Sequence, residues 1–192
     1  MAEQGRLAMT DVFIRSLPIT NTPESLIREG FRLSTINRWN LSGANIRALW
    51  NMPIRAARLH AEKMATTDPY IFTDDDVLPF GKDWIAHGTR ILLAHPEFAL
   101  ASTQSVIKEE MLNLSHAQEE ADIFEARCVG APLWVRKGIL GDDLPDFPFR
   151  DECVALDAYV LKKGFKSGII NGIRHHHLGF GCATDPTLVR CW

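Results

Sequence analysis

A chain of 192 residues with 46% hydrophobic residues can bury one core and is marginal for two, since domains typically run to about 100–150 residues. Its 21 Lys and Arg against 24 Asp and Glu leave a net charge of −3, which argues against a general electrostatic grip on nucleic acid or on an anionic membrane surface. No apolar run reaches the roughly 20 residues that span a bilayer, MAEQGRLAMT lacks a secretory apolar stretch, and Cys128, Cys153, Cys182 and Cys191 form no C-x-x-C pair, so one reduced, cytoplasmic domain is expected.

Residues 11–15 (DVFIR) form a short β-branched and aromatic run, and Pro18, Asn21, Thr22 and Pro23 then supply turn and helix-start chemistry. From Glu24, Leu26, Ile27, Phe31 and Leu33 recur at helical spacing until NLSGAN interrupts at 40–45. A second strand is expected over 46–50, a corner over 51–53, and an amphipathic helix over 54–65 that ends before Asp68 and Pro69. Tyr70, Ile71 and Phe72 make a compact apolar strand running directly into Asp74, Asp75 and Asp76. Downstream, the pattern predicts a helix over 81–93, a strand over 98–102, a polar loop or exposed helix over 108–122 and a strand over 129–136. A helix over 151–163 closed by Gly164, a last strand over 169–177 and a tail over 178–192 complete the chain. Alternating strands and helices predict an α/β domain with a mainly parallel sheet, whose ligand sites lie beyond the carboxyl ends of the strands.

The acidic triplet stands at such an end. If extended geometry persists through it, Asp74 and Asp76 point to one face and Asp75 to the other. Two convergent carboxylates suit a hard cation, Mn2+ or Mg2+, whose remaining coordination positions are commonly filled by substrate phosphates. A solvated acidic turn is the ordinary account of such a triplet; the apolar strand ahead of it and Val77, Leu78 and Pro79 behind it favour a site.

The segment DPYIFTDDDVLPFGKDW, 68–84, resembles the D-x-D strand of GT-A-fold glycosyltransferases, in particular glycosyltransferase family 2. The stretch NMPIRAARLHAEKMATTDPYIF is similar to the helix that precedes the motif there, and Pro79 and Trp84 match a following proline and aromatic. GAPLWVRKGIL, 130–140, resembles the strand beneath the family's acceptor site, and DECVALDAYVLKKGFKSGII resembles its acidic helix start with the helix and glycine turn after it.

This resemblance implies a GT-A-like single domain over 1–192 with a Rossmann-like nucleotide-binding half. Residues of about 10–80 would serve the nucleotide-sugar and metal, about 81–180 the acceptor, and 181–192 would be a tail. It implies metal-dependent transfer from a nucleotide-diphosphate sugar, most often a UDP-sugar, to an acceptor hydroxyl with inversion. Arg15, Asn51, Arg55, Arg58, Asp74 and Asp75 are then candidate donor contacts, and Asp74 and Asp76 candidate metal ligands. The expected catalytic Asp of the helix start falls on Cys153, which leaves Asp151, Glu152 and Asp157 as candidates for the base that takes the acceptor proton.

Arg174, His175, His176 and His177 precede Leu178 and Gly179 near the end of the chain. Strand alternation puts His175 and His177 on one face, and by the resemblance His177 or His175 returns to the metal; an exposed or structural histidine is the plainer alternative. Trp84 and Trp134 are candidates to stack on a sugar, although large aromatics are more often core.

Two other readings compete. FTDDDVL also resembles the D-x-D-x-[TV] motif of haloacid dehalogenase-like phosphohydrolases, with GDDLPD, 141–146, as a second acidic motif; Asp74 would then be a nucleophile and Asp76 a general acid. A non-catalytic nucleotide-sugar or carbohydrate-binding domain of the same fold would suit the cysteine at 153.

Overall fold

The computed structural model describes residues 9–16, 32, 33, 35–37, 39, 44–50, 52–79, 83–105, 120–127, 129–146 and 152–177. Among the described residues the elements follow one another as β1 (Asp11–Ser16), β2 (Asn45–Trp50), α1 (Ile54–Met64), β3 (Tyr70–Asp74), β4 (Val77–Pro79), α2 (Trp84–Ala94), β5 (Phe98–Ser105), β6 (Ile123–Glu125), β7 (Leu133–Val135), α3 (Glu152–Lys162) and β8 (Lys166–His177). Much of the helix expected from Glu24, most of the loop expected over 108–122 and the tail from Leu178 lie outside the described residues.

The strands form one eight-stranded sheet in the order β2-β1-β3-β7-β5-β8-β4, with β6 paired beside β8. β1 is parallel to β2 and β3, and β5 is parallel to β8. β7 runs antiparallel between β3 and β5, and β4 and β6 are antiparallel to β8. Strands β1, β2, β3, β5 and β8 therefore share one direction and β4, β6 and β7 oppose it. The α/β class is as expected, but the sheet is mixed rather than mainly parallel in its pairings. The three reversed strands are three residues each, too short for a period of two to show in the sequence.

Alternation along the longer strands sorts side chains between two covered faces. Phe13, Tyr70, Phe72, Leu100, Leu133 and Val135 pack with Ala57 and Ala61 of α1 and with Leu156 and Val160 of α3. Val12, Ile14, Ile71, Ala101 and Trp134 point the other way, against Trp84, Ile85, Ile91 and Leu92 of α2 and against Trp39. Burying each of the larger of these side chains contributes about 1.5–3 kcal/mol, so the three-layer arrangement is what holds the sheet. β3 is buried on both faces, which is why its sequence is continuously apolar up to Thr73.

Trp84 and Trp134 belong to this core. Their rings meet edge-to-face at 5.3 Å, and Trp39 stacks in the same manner on Trp84 at 4.4 Å, so neither offers a face to a sugar. Gly88 of α2 makes room for them: a Cβ there would lie 2.6 Å from Cζ2 of Trp134. At the end of α3, Gly164 adopts φ +87°, and the N–H groups of Gly164 and Phe165 donate to the carbonyls of Leu161 and Val160. That glycine closure matches the sequence expectation.

Candidate functional site

The carboxyl ends of β1, β3, β5 and β8 lie along one edge of the sheet, the edge where α/β folds bind ligands. Arg15 and Asp74 are register partners there. The Arg15 Nε–H donates to Oδ1 of Asp74 at 3.0 Å, with side chains 18% and 22% exposed. The Asp75 N–H still donates to the Arg15 carbonyl at 3.1 Å, and then the ladder stops.

Asp75 and Asp76 form a turn, after which β4 crosses to pair with β8. The extended geometry on which the convergence of Asp74 and Asp76 rested ends at Asp74, so alternation does not govern the last two carboxylates. Both are buried, at 2% and 4% exposure, while Asp74 stays partly open to solvent.

Electrostatics tie a distant residue to this edge. Burial acts to lower the pKa of Arg15, but the charges of Asp74, then Glu152 and then Asp75, together with the Asp74 hydrogen bond, hold it above its ordinary value. Glu152, the first residue of α3, thus acts on the same guanidinium as the strand-end carboxylates. Arg58 of α1, buried and lying 5.0 Å over the Phe72 ring, brings Nη2 to 4.0 Å from Oε1 of Glu152. Arg15 thus pairs with Asp74 and Arg58 with Glu152, and the charge of Glu152 also acts on Arg15.

Other candidates go elsewhere. Arg55 donates to the carbonyls of Leu144 at 2.6 Å and Asp142 at 2.9 Å and faces Asp146 at 3.7 Å, so it clamps the 142–146 segment. Asp157 pairs with Arg127 at 3.2 Å, beside β6. Asn51 and Asp151 lie outside the described residues, as does the side chain of His177.

His175 is buried and shares a 2.7 Å hydrogen bond, through Nδ1, with Oγ1 of Thr103 on β5. Thr103 gave no signal in the sequence, because a threonine in a strand is ordinary and its partner comes from the far end of the chain. Along β8 the register jumps from Ile170 opposite Thr103 to Arg174 opposite Gln104, with Gly172 at φ +73° between them. Three inserted residues reverse the alternation, so Ile173 and His175 are buried and Arg174 is exposed. Val77 pairs with His177 and Pro79 with His175, which sets the histidine strand beside the one that leaves the acidic turn.

Carboxylate oxygens at a partly open strand end suit Mn2+ or Mg2+, and a guanidinium already stands against one of them. Among the described residues no group of three or more His, Cys, Asp or Glu is placed to hold a metal ion. A cation at this strand end would have to take one or two of these carboxylates and complete its shell with phosphate oxygens.

No family model matches the chain, and no curated protein matches it. Among solved structures 44 chains match. One is S. aureus TarS 1-349, with a TM-score of 0.47 and 11% identity over 86% of this chain and 60% of that one. A second TarS structure gives a TM-score of 0.48 and 10% identity over 86% of this chain. This chain spans 60% and 36% of the two TarS chains. Among the described residues no helix is long and apolar enough to cross a membrane.

Proposed function

We propose that the chain is a metal-dependent glycosyltransferase with a GT-A-like fold, which moves a sugar from a nucleotide-diphosphate donor to an acceptor hydroxyl with inversion. A UDP-sugar is the first donor to try. Residues of about 10–80 would serve the donor and metal and about 81–180 the acceptor. The observation that carries this reading is that Arg15, at the end of β1, is hydrogen-bonded to Asp74, at the end of β3, on the carboxyl edge of the sheet, although 59 positions separate them in the chain. The D-x-D resemblance of the strand that ends there supports it.

In this reading Asp74 and Asp76 hold Mn2+ or Mg2+, and of the two histidines His177 is the further ligand to test, since His175 bonds Thr103 and completes no three-ligand group among the described residues. The cation would offset the negative charge that builds on the departing diphosphate. Arg15 stands beside the metal carboxylates with a guanidinium suited to phosphate oxygens. Glu152 is the base: its carboxylate takes the proton of the acceptor hydroxyl as that oxygen forms the new bond to the anomeric carbon and the diphosphate leaves. Arg58, 4.0 Å from Glu152 and packed over Phe72, orients that carboxylate.

The phosphohydrolase reading requires the second acidic motif near the first. Asp142, Asp143 and Asp146 are instead strongly exposed and face Lys63, Lys163 and Arg55 respectively. Asp143 also accepts the Tyr159 hydroxyl at 2.6 Å. A binding domain without turnover would share the geometry and differs by rate alone.

The test is release of nucleoside diphosphate from a panel of nucleotide sugars with Mn2+, in wild type, Asp76→Ala and Glu152→Gln. Metal-dependent release that both substitutions abolish supports the proposal. Binding without any release in wild type would leave a non-catalytic domain, and phosphatase activity on small phosphomonoesters would favour the hydrolase.

A further inference from the structure

We infer that Arg15 is a built-in counter-ion at Asp74, which competes with a bare divalent cation and makes cation and diphosphate bind together. The inference deepens the proposed function and rests on its metal reading.

The Arg15 Nε–H meets Oδ1 of Asp74 at 3.0 Å, and both side chains are mostly withdrawn from solvent, so the pair is not a fully screened surface contact. The guanidinium also lies in the field of Glu152 and Asp75. A positive group already offsets the charge that would attract a cation to this strand end. A divalent ion arriving alone must displace that bond and approach a fixed positive charge, and no cage of three protein ligands stands among the described residues to compensate it.

A divalent ion arriving with a diphosphate meets a different situation. The phosphate oxygens complete its coordination shell, and they offer the released guanidinium a new anionic partner. The long side chain of Arg15 allows that exchange while the β1 backbone stays in its ladder with β2 and β3. Linkage then requires the effect to be mutual: diphosphate strengthens cation binding, and cation strengthens diphosphate binding by the same factor.

The experiment titrates Mn2+ into the full chain and follows the paramagnetic resonance signal of the free ion, with and without UDP. It compares wild type, Arg15→Gln, Arg15→Lys and Asp74→Asn, each checked for folding by circular dichroism. Removing one positive charge at this distance predicts that Arg15→Gln binds bare Mn2+ about tenfold tighter or more. Arg15→Lys stays near wild type, and UDP enhances Mn2+ binding less in Arg15→Gln than in wild type. Equal or weaker affinity for bare Mn2+ in folded Arg15→Gln overturns the inference, and if Asp74→Asn still lowers Mn2+ affinity the metal reading stands without it. Mn2+ binding that Asp74→Asn leaves unchanged, or that is undetectable in every form, overturns both.

Should Arg15→Gln fail to fold, the Arg15 Nε–H resonance of wild type is followed during Mg2+ and UDP addition. A shift when both are present, larger than with Mg2+ alone, supports the inference. An unmoved resonance under saturating Mg2+ and UDP overturns it.

Discussion

Arg58 of α1 and Glu152 of α3 face each other across 4.0 Å, and the Arg58 guanidinium lies 5.0 Å over the Phe72 ring. The contact joins two helices of one layer over Phe72 of β3 and distinguishes Glu152 from Asp157, which pairs with Arg127. Glu152→Gln is predicted to lower kcat by about 100-fold or more while leaving donor binding near wild type, because a neutral amide fills the same space and takes no proton. Transfer rates together with donor affinity check it. Full activity in Glu152→Gln with activity lost in Asp157→Asn would move the base to Asp157.

Asp11 lies at the opposite end of β1 from Arg15 and has a structural duty. It accepts bonds from the Thr66 N–H and hydroxyl at 2.5 and 2.7 Å, the Thr67 N–H at 3.2 Å and Asn45 Nδ2 at 2.5 Å. Burial pushes its pKa up, but these bonds outweigh burial and hold it below the ordinary carboxylate value of 3.8. A folded pKa below the unfolded one means stability that is present above the unfolded value and lost as pH falls through the folded value. Asp11→Asn should cost about 1–3 kcal/mol near neutral pH, and its deficit against wild type should shrink below about pH 4. Urea unfolding from pH 7 to 3 measures the gap; a deficit that does not change with pH would show that the charge is irrelevant.

How far the sequence reveals this arrangement depends on the range of the interaction. Strand β3, helix α1 and the glycine-closed α3 are legible because apolar spacing and local turn chemistry act within a few residues. The turn at Asp75 and Asp76 is hidden by Val77, Leu78 and Pro79, which read as a continuation although they pair with the histidine strand β8. Arg55 and Arg58 look equivalent on one helix face, but the 142–146 segment has backbone carbonyls in need of donors and takes Arg55, leaving Arg58 for Glu152. Nothing local separates Glu152 from Asp157; the difference is Arg127, brought alongside Asp157 by the fold.

Gly88 is predicted to resist substitution. An added Cβ would stand 2.6 and 2.7 Å from Cζ2 and Cε2 of Trp134, a ring fully buried between α2 and the sheet. Overpacking of this kind costs about 1–3 kcal/mol, more than alanine's helix propensity returns. Gly88→Ala should therefore lower the urea midpoint; an unchanged or raised midpoint would mean that Trp134 yields easily.

Thr103→Val keeps the shape of the β5 side chain and removes the hydroxyl bonded to Nδ1 of His175. Loss of that buried bond should cost about 1–3 kcal/mol and change the His175 ring resonances. Ring resonances identical to wild type in a folded Thr103→Val protein would deny that Thr103 orients the histidine.

The most direct test of the central claim is calorimetric titration of the full chain with nucleoside diphosphates and their sugars, in the presence and absence of Mn2+. The account predicts that one nucleotide class binds only when Mn2+ is present and that Asp76→Ala loses this binding while remaining folded. Failure of every nucleotide to bind the folded wild-type protein, with Mn2+ present, would contradict it.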